Sequence, residues 1–142
     1  MPPFGTRWER GEERILIVSP YLSINAVEAD QVPSAVARAR ARGARVCIVY
    51  SRDLSPPNAR KTRQAVEALE RAGAEVKASN RMHSKTLAVD ARWIVEGSFN
   101  WLSASRDEQN AFHRHEASFL CEGPDVQEFI QAAWREVLEP RT

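Results

Sequence analysis

Cysteine is scarce in this chain: its 142 residues include only Cys47 and Cys121. The pair has no Cys-x-x-Cys spacing, and each cysteine sits in an apolar run. No disulfide framework is implied, and both read as buried, reduced core residues. Long hydrophobic stretches are missing as well. No apolar run is long enough to span a bilayer. The stretch from Met1 to Arg10 lacks the hydrophobic region of a signal peptide. A cytoplasmic protein, or a domain of a larger one, is therefore expected. Internal repeats and low-complexity tracts are absent too. The net charge is only +1, so total charge indicates no partner. The length suits one domain that can bury a core without staples.

The distribution of charge is more informative. From Ser34 to Gln64 the basic residues are Arg38, Arg40, Arg42, Arg45, Arg52, Arg60, Lys61 and Arg63, against the single acid Asp53. The remainder of the chain is net acidic. Such a segment is either an electrostatic footprint for a polyanion or two solvated helix faces. On the first reading Arg60, Lys61 and Arg63 are candidate nucleic-acid-binding residues.

Hydrophobic patterning predicts an α/β fold. Ile15 to Val18 is a short continuous apolar run ending at Ser19-Pro20-Tyr21, which suits a strand buried on both faces. Pro33 to Arg42 reads as a helix stopped by Gly43, and Arg45 to Tyr50 as a second buried strand. Thr62, Val66 and Leu69 recur at helical spacing before Gly73, and Glu75 to Ala78 is a weaker strand. That alternation implies parallel crossovers. Thr86 to Val89 and Trp93 to Glu96 then form a hairpin across Asp90-Ala91-Arg92. Ser103 to Arg114 is polar and irregular, a long loop or a loop with a helical turn, and Glu116 to Cys121 is another strand. Pro124 opens a last helix with Val126, Phe129, Ile130, Ala133 and Val137 on one face. The expected architecture is a mixed, largely parallel sheet with helices on both faces. Residues 1–13 are a linker or remnant, and 14–142 form the domain.

The chemistry concentrates in His83-Ser84-Lys85, with Asp90 five residues on and Gly97-Ser98-Phe99-Asn100 after six more. A chance match to this spacing in such a chain is roughly one in a million on average residue usage. Alternation directs His83 and Lys85 to one side of a strand's start. Ser98 and Asn100 bear the same relation to the end of the neighbouring strand. If the strands pair, a histidine, an ammonium, a hydroxyl and a carboxamide converge. That set suits a phosphoryl group: His83 as nucleophile, Lys85 and Asn100 on the non-bridging oxygens. Bland readings exist for the flanking residues. Ser98 could serve a turn and Asp90 a hairpin. His113 and His115 could share a metal, but no third ligand stands out and a solvated pair is the better reading. Tyr21 could stack on a base but reads as a packing residue, and Trp93 and Trp101 read as core or subunit-contact residues rather than a base-stacking platform.

These motifs resemble the phospholipase D superfamily, from about Ile15 to Leu138. With one motif copy, the chain looks most like the small bacterial endonucleases of that superfamily. Larger phospholipases and cardiolipin synthases carry two copies. The resemblance implies that His83 forms a phosphohistidine, that Lys85 and Asn100 bind phosphate, and that Ser98 supports the site. Asp90 matches the motif's acid, which is more structural than chemical in the family, and Gly97 its glycine. The orienting glutamate corresponds to Glu116, although the asparagine of the family's Asn-x-Glu is absent here and the loop from Trp101 to Arg114 is longer. The strand and helix that usually precede Ile15 are missing or replaced by Met1 to Glu13.

The implied activity is that of a metal-independent phosphodiesterase, with no cofactor and with DNA or RNA as substrate. The alternatives are phospholipid hydrolysis or phosphatidyl transfer, and an inactive nucleic-acid-binding domain of a larger protein. A proton donor must stand opposite the nucleophile, and the chain has no second His-x-Lys. A homodimer sharing one composite site would supply it.

Overall fold

The computed structural model describes residues 7–80, 85–97, 118–123 and 125–138. A short 3-10 helix (Arg7–Arg10) leads into β1 (Arg14–Val18). Then come α1 (Ile24–Ala29), α2 (Val32–Ala41), β2 (Arg45–Ser51), α3 (Arg60–Ala72) and β3 (Glu75–Ser79). β4 (Thr86–Val89), β5 (Trp93–Gly97), β6 (Ser118–Glu122) and α4 (Val126–Leu138) complete the order.

The six strands form one sheet in the order β3-β2-β1-β4-β5-β6. It is mixed, with its two kinds of pairing segregated. β1, β2 and β3 are parallel neighbours, while β1–β4, β4–β5 and β5–β6 are antiparallel. Connection length accounts for the β1–β2, β2–β3 and β4–β5 pairs. Helices carry the chain back between the first three strands, whereas three residues suffice between Val89 and Trp93.

Both faces are covered, which accounts for the unbroken apolar runs of β1 and β2. Ile15, Ile17, Val46, Ile48, Leu87, Val89 and Val95 pack towards α1, α2 and α3. Leu16, Val18, Cys47, Val49, Ala88 and Ile94 pack against Val126, Ile130 and Trp134 of α4. Trp8 is also in the first core at 5% exposure, so packing begins within the segment expected to be linker or remnant.

Three local expectations are corrected. α1 had no counterpart in the sequence reading, because six residues are too few to display a helical period. Cys121 is exposed rather than buried. It lies on the edge strand β6, and the core under α4 is built on β1, β2, β4 and β5 instead. On α4 the buried positions are Val126, Ile130 and Trp134, at four-residue spacing, while Phe129 is 64% exposed.

Candidate active site

Lys85 and Gly97, a described residue from each half of the motif, sit just before β4 and at the end of β5, which are adjacent antiparallel strands. Thr86 pairs with Glu96, and one step further out the Gly97 N–H donates to the Lys85 carbonyl at 3.3 Å. On the far side of β5, Gly97 pairs with Ser118 of β6. On the other flank Val18, at the end of β1, pairs with Thr86. The carboxyl ends of β1, β2 and β3 therefore share one end of the sheet with the start of β4, the end of β5 and the start of β6. In open α/β sheets, binding crevices form outside the carboxyl ends of the parallel strands. Lys85 is half-buried there. His83, Ser98, Asn100 and Glu116 lie outside the described residues, as do Trp101, His113 and His115.

Asp90 is at the opposite end. Five residues of extended chain separate it from Lys85, about 16 Å. It cannot act with Lys85 on one phosphoryl group. Its carboxylate instead accepts three backbone N–H groups: Glu12 at 3.0 Å, Glu13 at 2.7 Å and Arg14 at 2.9 Å. Its own N–H donates to the Arg14 carbonyl at 2.7 Å. The residue is 3% exposed and has φ 52°. Aspartate tolerates that left-handed conformation better than most side chains. Asp90 thus ties the β4–β5 turn to the chain entering β1.

The basic segment does not form one patch. The connection from α2 through β2 to α3 places its two parts at opposite ends of the sheet. Arg42 and Arg45 flank the start of β2, at the Asp90 end, and Arg40 is in the last turn of α2. All three have structural bonds. Arg45 donates to Glu75 at 2.7 Å, and that bond raises its pKa further. Arg42 donates to the Gly11 carbonyl at 3.2 Å and Arg40 to that of Ala44 at 3.4 Å. Arg52, Arg60, Lys61 and Arg63 follow the carboxyl end of β2, at the Lys85 end, and all four are exposed. No acidic side chain sits in the first turn of α3.

The loops at that end are stitched together by serines. The Ser19 hydroxyl donates to the Tyr21 carbonyl at 2.9 Å, and the Ser19 N–H to the Val49 carbonyl at 3.0 Å. The Pro20 carbonyl accepts from the Ser51 N–H at 3.0 Å and the Ser55 hydroxyl at 3.1 Å. Ser55 Oγ in turn accepts from the Leu22 N–H at 2.8 Å. Ser19, Pro20 and Leu22 are buried, yet Tyr21 between them is 43% exposed. The sequence reading of Tyr21 as a packing residue is not what the structure shows. Its only advance signal was a tyrosine after a strand-ending Ser-Pro. Trp93, by contrast, packs against the core.

Among the described residues, no group of three or more His, Cys, Asp or Glu side chains is placed to hold a metal ion. None of the described helices is long and apolar enough to cross a membrane. A largely apolar cavity of about 360 Å³ lies between α4 and the sheet, lined by Val18, Thr86, Ile94, Cys121, Phe129 and Val137 among others.

The family model described as "Cardiolipin synthase, PLD-like domain" matches residues 8–137. No curated protein matches. Among solved structures, the polyphosphate kinase from Porphyromonas gingivalis is similar, with a TM-score of 0.68, 13% identity and 94% of this chain covered. This chain spans 22% of that chain's length, and at such identity the likeness concerns the fold. The match to the family over nearly the whole length, joined to the motif and its strand pairing, places the result beyond the fold: the chain belongs to the PLD-like domain family, within the phospholipase D superfamily.

Proposed function

We propose that the chain is a metal-independent phosphodiesterase that cleaves nucleic acid through a phosphohistidine. The observation that carries this reading is the Lys85–Gly97 backbone bond, because it brings a described residue of each motif half to one end of adjacent strands. His83 is the proposed nucleophile. One imidazole nitrogen forms a bond to phosphorus while the bond from phosphorus to the leaving oxygen breaks. That oxygen takes a proton from an acid on the opposite side. Water then displaces the histidine from phosphorus and gives up its proton to the group that served as acid. Lys85 and Asn100 hold the non-bridging oxygens as charge builds on them. Ser98 supports the site, and Glu116 orients His83.

With a single His-x-Lys in the sequence, the opposing acid is proposed to be His83 of a second copy, across a two-fold axis at the motif end of the sheet. Nucleic acid is favoured as substrate by the four exposed cations at that end, Arg52, Arg60, Lys61 and Arg63. The deciding experiment is cleavage of a generic diester and of DNA in the presence of chelator. Wild type should cleave and His83→Ala should not. Equal turnover by the two proteins would reject the mechanism.

One observation favours a second reading, a lipid diester. The apolar cavity beside β4 could receive part of an acyl chain, since Thr86 on its wall adjoins Lys85. Hydrolysis of anionic phospholipid vesicles, with no cleavage of nucleic acid, would select it.

A further inference from the structure

We propose that Tyr21 is a stacking subsite for an unpaired base, which makes single-stranded nucleic acid the substrate class of the site; this rests on the phosphodiesterase reading above. A tyrosine at a strand end ordinarily packs its ring. Here the residues on both sides of it are buried, and Tyr21 is 43% exposed. The exposure is not a product of loose backbone. Five hydrogen bonds, through Ser19, Ser51 and Ser55, fix the chain from Ser19 to Leu22. A ring held out from such a backbone has only two side-chain torsions left to order on binding, so stacking costs little entropy.

Position and charge identify the ligand. Tyr21 lies three residues beyond Val18, whose partner Thr86 adjoins Lys85. It therefore lies in the loop just past the strand flanking the motif, at the motif end. The loop bonded to its neighbours Pro20 and Leu22 carries Arg52 and an exposed Leu54, at 37% exposure, and leads into Arg60, Lys61 and Arg63. An exposed aromatic ring at the same end of the sheet as several exposed cations suits a chain of alternating planar bases and phosphates. A duplex cannot use such a ring, because its base faces are already covered by their neighbours. An unpaired base can. The far-end arginines take no part, since Arg40, Arg42 and Arg45 are committed to carbonyls and to Glu75.

The test uses the full chain carrying His83→Ala, so that the ligand stays intact while binding is read by fluorescence anisotropy. The probes are single-stranded oligothymidylate, oligouridylate, an abasic strand of the same length and a duplex. Adding Tyr21→Ala should weaken oligothymidylate binding about 5- to 100-fold. Affinity for the abasic strand and the duplex should not change. Tyr21→Phe should keep most of the affinity, because the ring carries the contact. Phe129→Ala removes an exposed ring from α4 and should bind like its parent. Oligouridylate shows whether the subsite distinguishes RNA from DNA.

Unchanged oligothymidylate binding in Tyr21→Ala overturns the proposal. So does an equal loss on the abasic strand, and so does a failure of the parent to bind any of the strands. Cleavage of oligothymidylate by wild type in chelator is scored separately. Cleavage without a Tyr21 effect sinks the subsite alone. Tyr21-dependent binding without cleavage sinks the catalytic reading and leaves the subsite.

Discussion

The Asp90 carboxylate accepts the Glu13 N–H at 2.7 Å, across 77 residues of sequence. Glu12 and Arg14 donate to the same carboxylate. Removing it strands three N–H groups at the start of β1. Asp90→Ala should cost about 3 kcal/mol or more. In a domain of this size that lowers the melting temperature by about 10 °C. Asp90→Asn keeps one acceptor oxygen and tolerates the left-handed backbone, so it should cost less, about 1–2 kcal/mol. Thermal unfolding of both variants checks the order. In Asp90→Asn the activity of the folded protein should persist, since the residue lies at the end of the sheet away from Lys85.

The division of the basic segment predicts two different phenotypes. Replacing Arg60, Lys61 and Arg63 with glutamine should weaken binding to single-stranded nucleic acid. It should also flatten the dependence of log affinity on log salt by about 2. Replacing Arg40, Arg42 and Arg45 should leave that slope alone and lower stability, because their bonds to Ala44, Gly11 and Glu75 are lost. Salt titrations of both triple variants decide the matter. A slope that responds equally to the two sets would remove the assignment.

Catalysis by direct attack of His83 needs no metal-bound water. Activity should survive EDTA at full rate. A strict requirement for added Mg²⁺ or Mn²⁺ would refute the mechanism and return attention to His113 and His115.

A shared site predicts how activity responds to dilution with dead chains. When His83→Ala chains are refolded together with wild type, activity should fall roughly as the square of the wild-type fraction, because each mixed dimer lacks one of its two histidines. A linear fall, or a fully active monomer, would show that one chain completes its own site.

The two thiols should behave differently. Cys47 is buried and Cys121 exposed, so a thiol reagent should label Cys121 alone in the native protein and both once it is unfolded. Burial pushes the Cys47 pKa up, and this outweighs the opposing pull of Lys77. A raised folded pKa makes the thiol's contribution to stability complete below about pH 8.5, the ordinary thiol value. That contribution is lost as pH rises through the folded value. Cys47→Ala should flatten the alkaline fall in stability, as measured by denaturant titration at several pH values.

The strands with the plainest signal in the sequence were β1 and β2. Their apolar runs are continuous because α2 and α3 cover one face and α4 the other. The helix around Leu69 was legible for a related reason: Thr62, Ala65 and Leu69 form its buried stripe, and Gly73 ends it with φ 111°. α1 was not legible, because Ile24–Ala29 is shorter than two turns. On α4, Val126, Ile130, Ala133 and Val137 of the expected face do pack on the core, but Phe129 is exposed and Trp134, whose ring also receives Arg14 at 4.8 Å, is buried in its place.

The sequence by itself determined the elements that depend on neighbours along the chain, and the family. Periodicity, helix stops and motif spacing are local, so a linear reading recovers them. Only the tertiary structure decided which residues share an end of the sheet. It joined Lys85 to Gly97 and sent Asp90 to the far end. It separated Arg42 and Arg45 from Arg60 and Lys61, and it left Tyr21 exposed between buried neighbours. The physical reason is that strand order, strand direction and crossover connections arise from packing between segments distant in sequence. A strand of five residues carries its two ends about 13 Å apart, and nothing in the local pattern says which end faces the site.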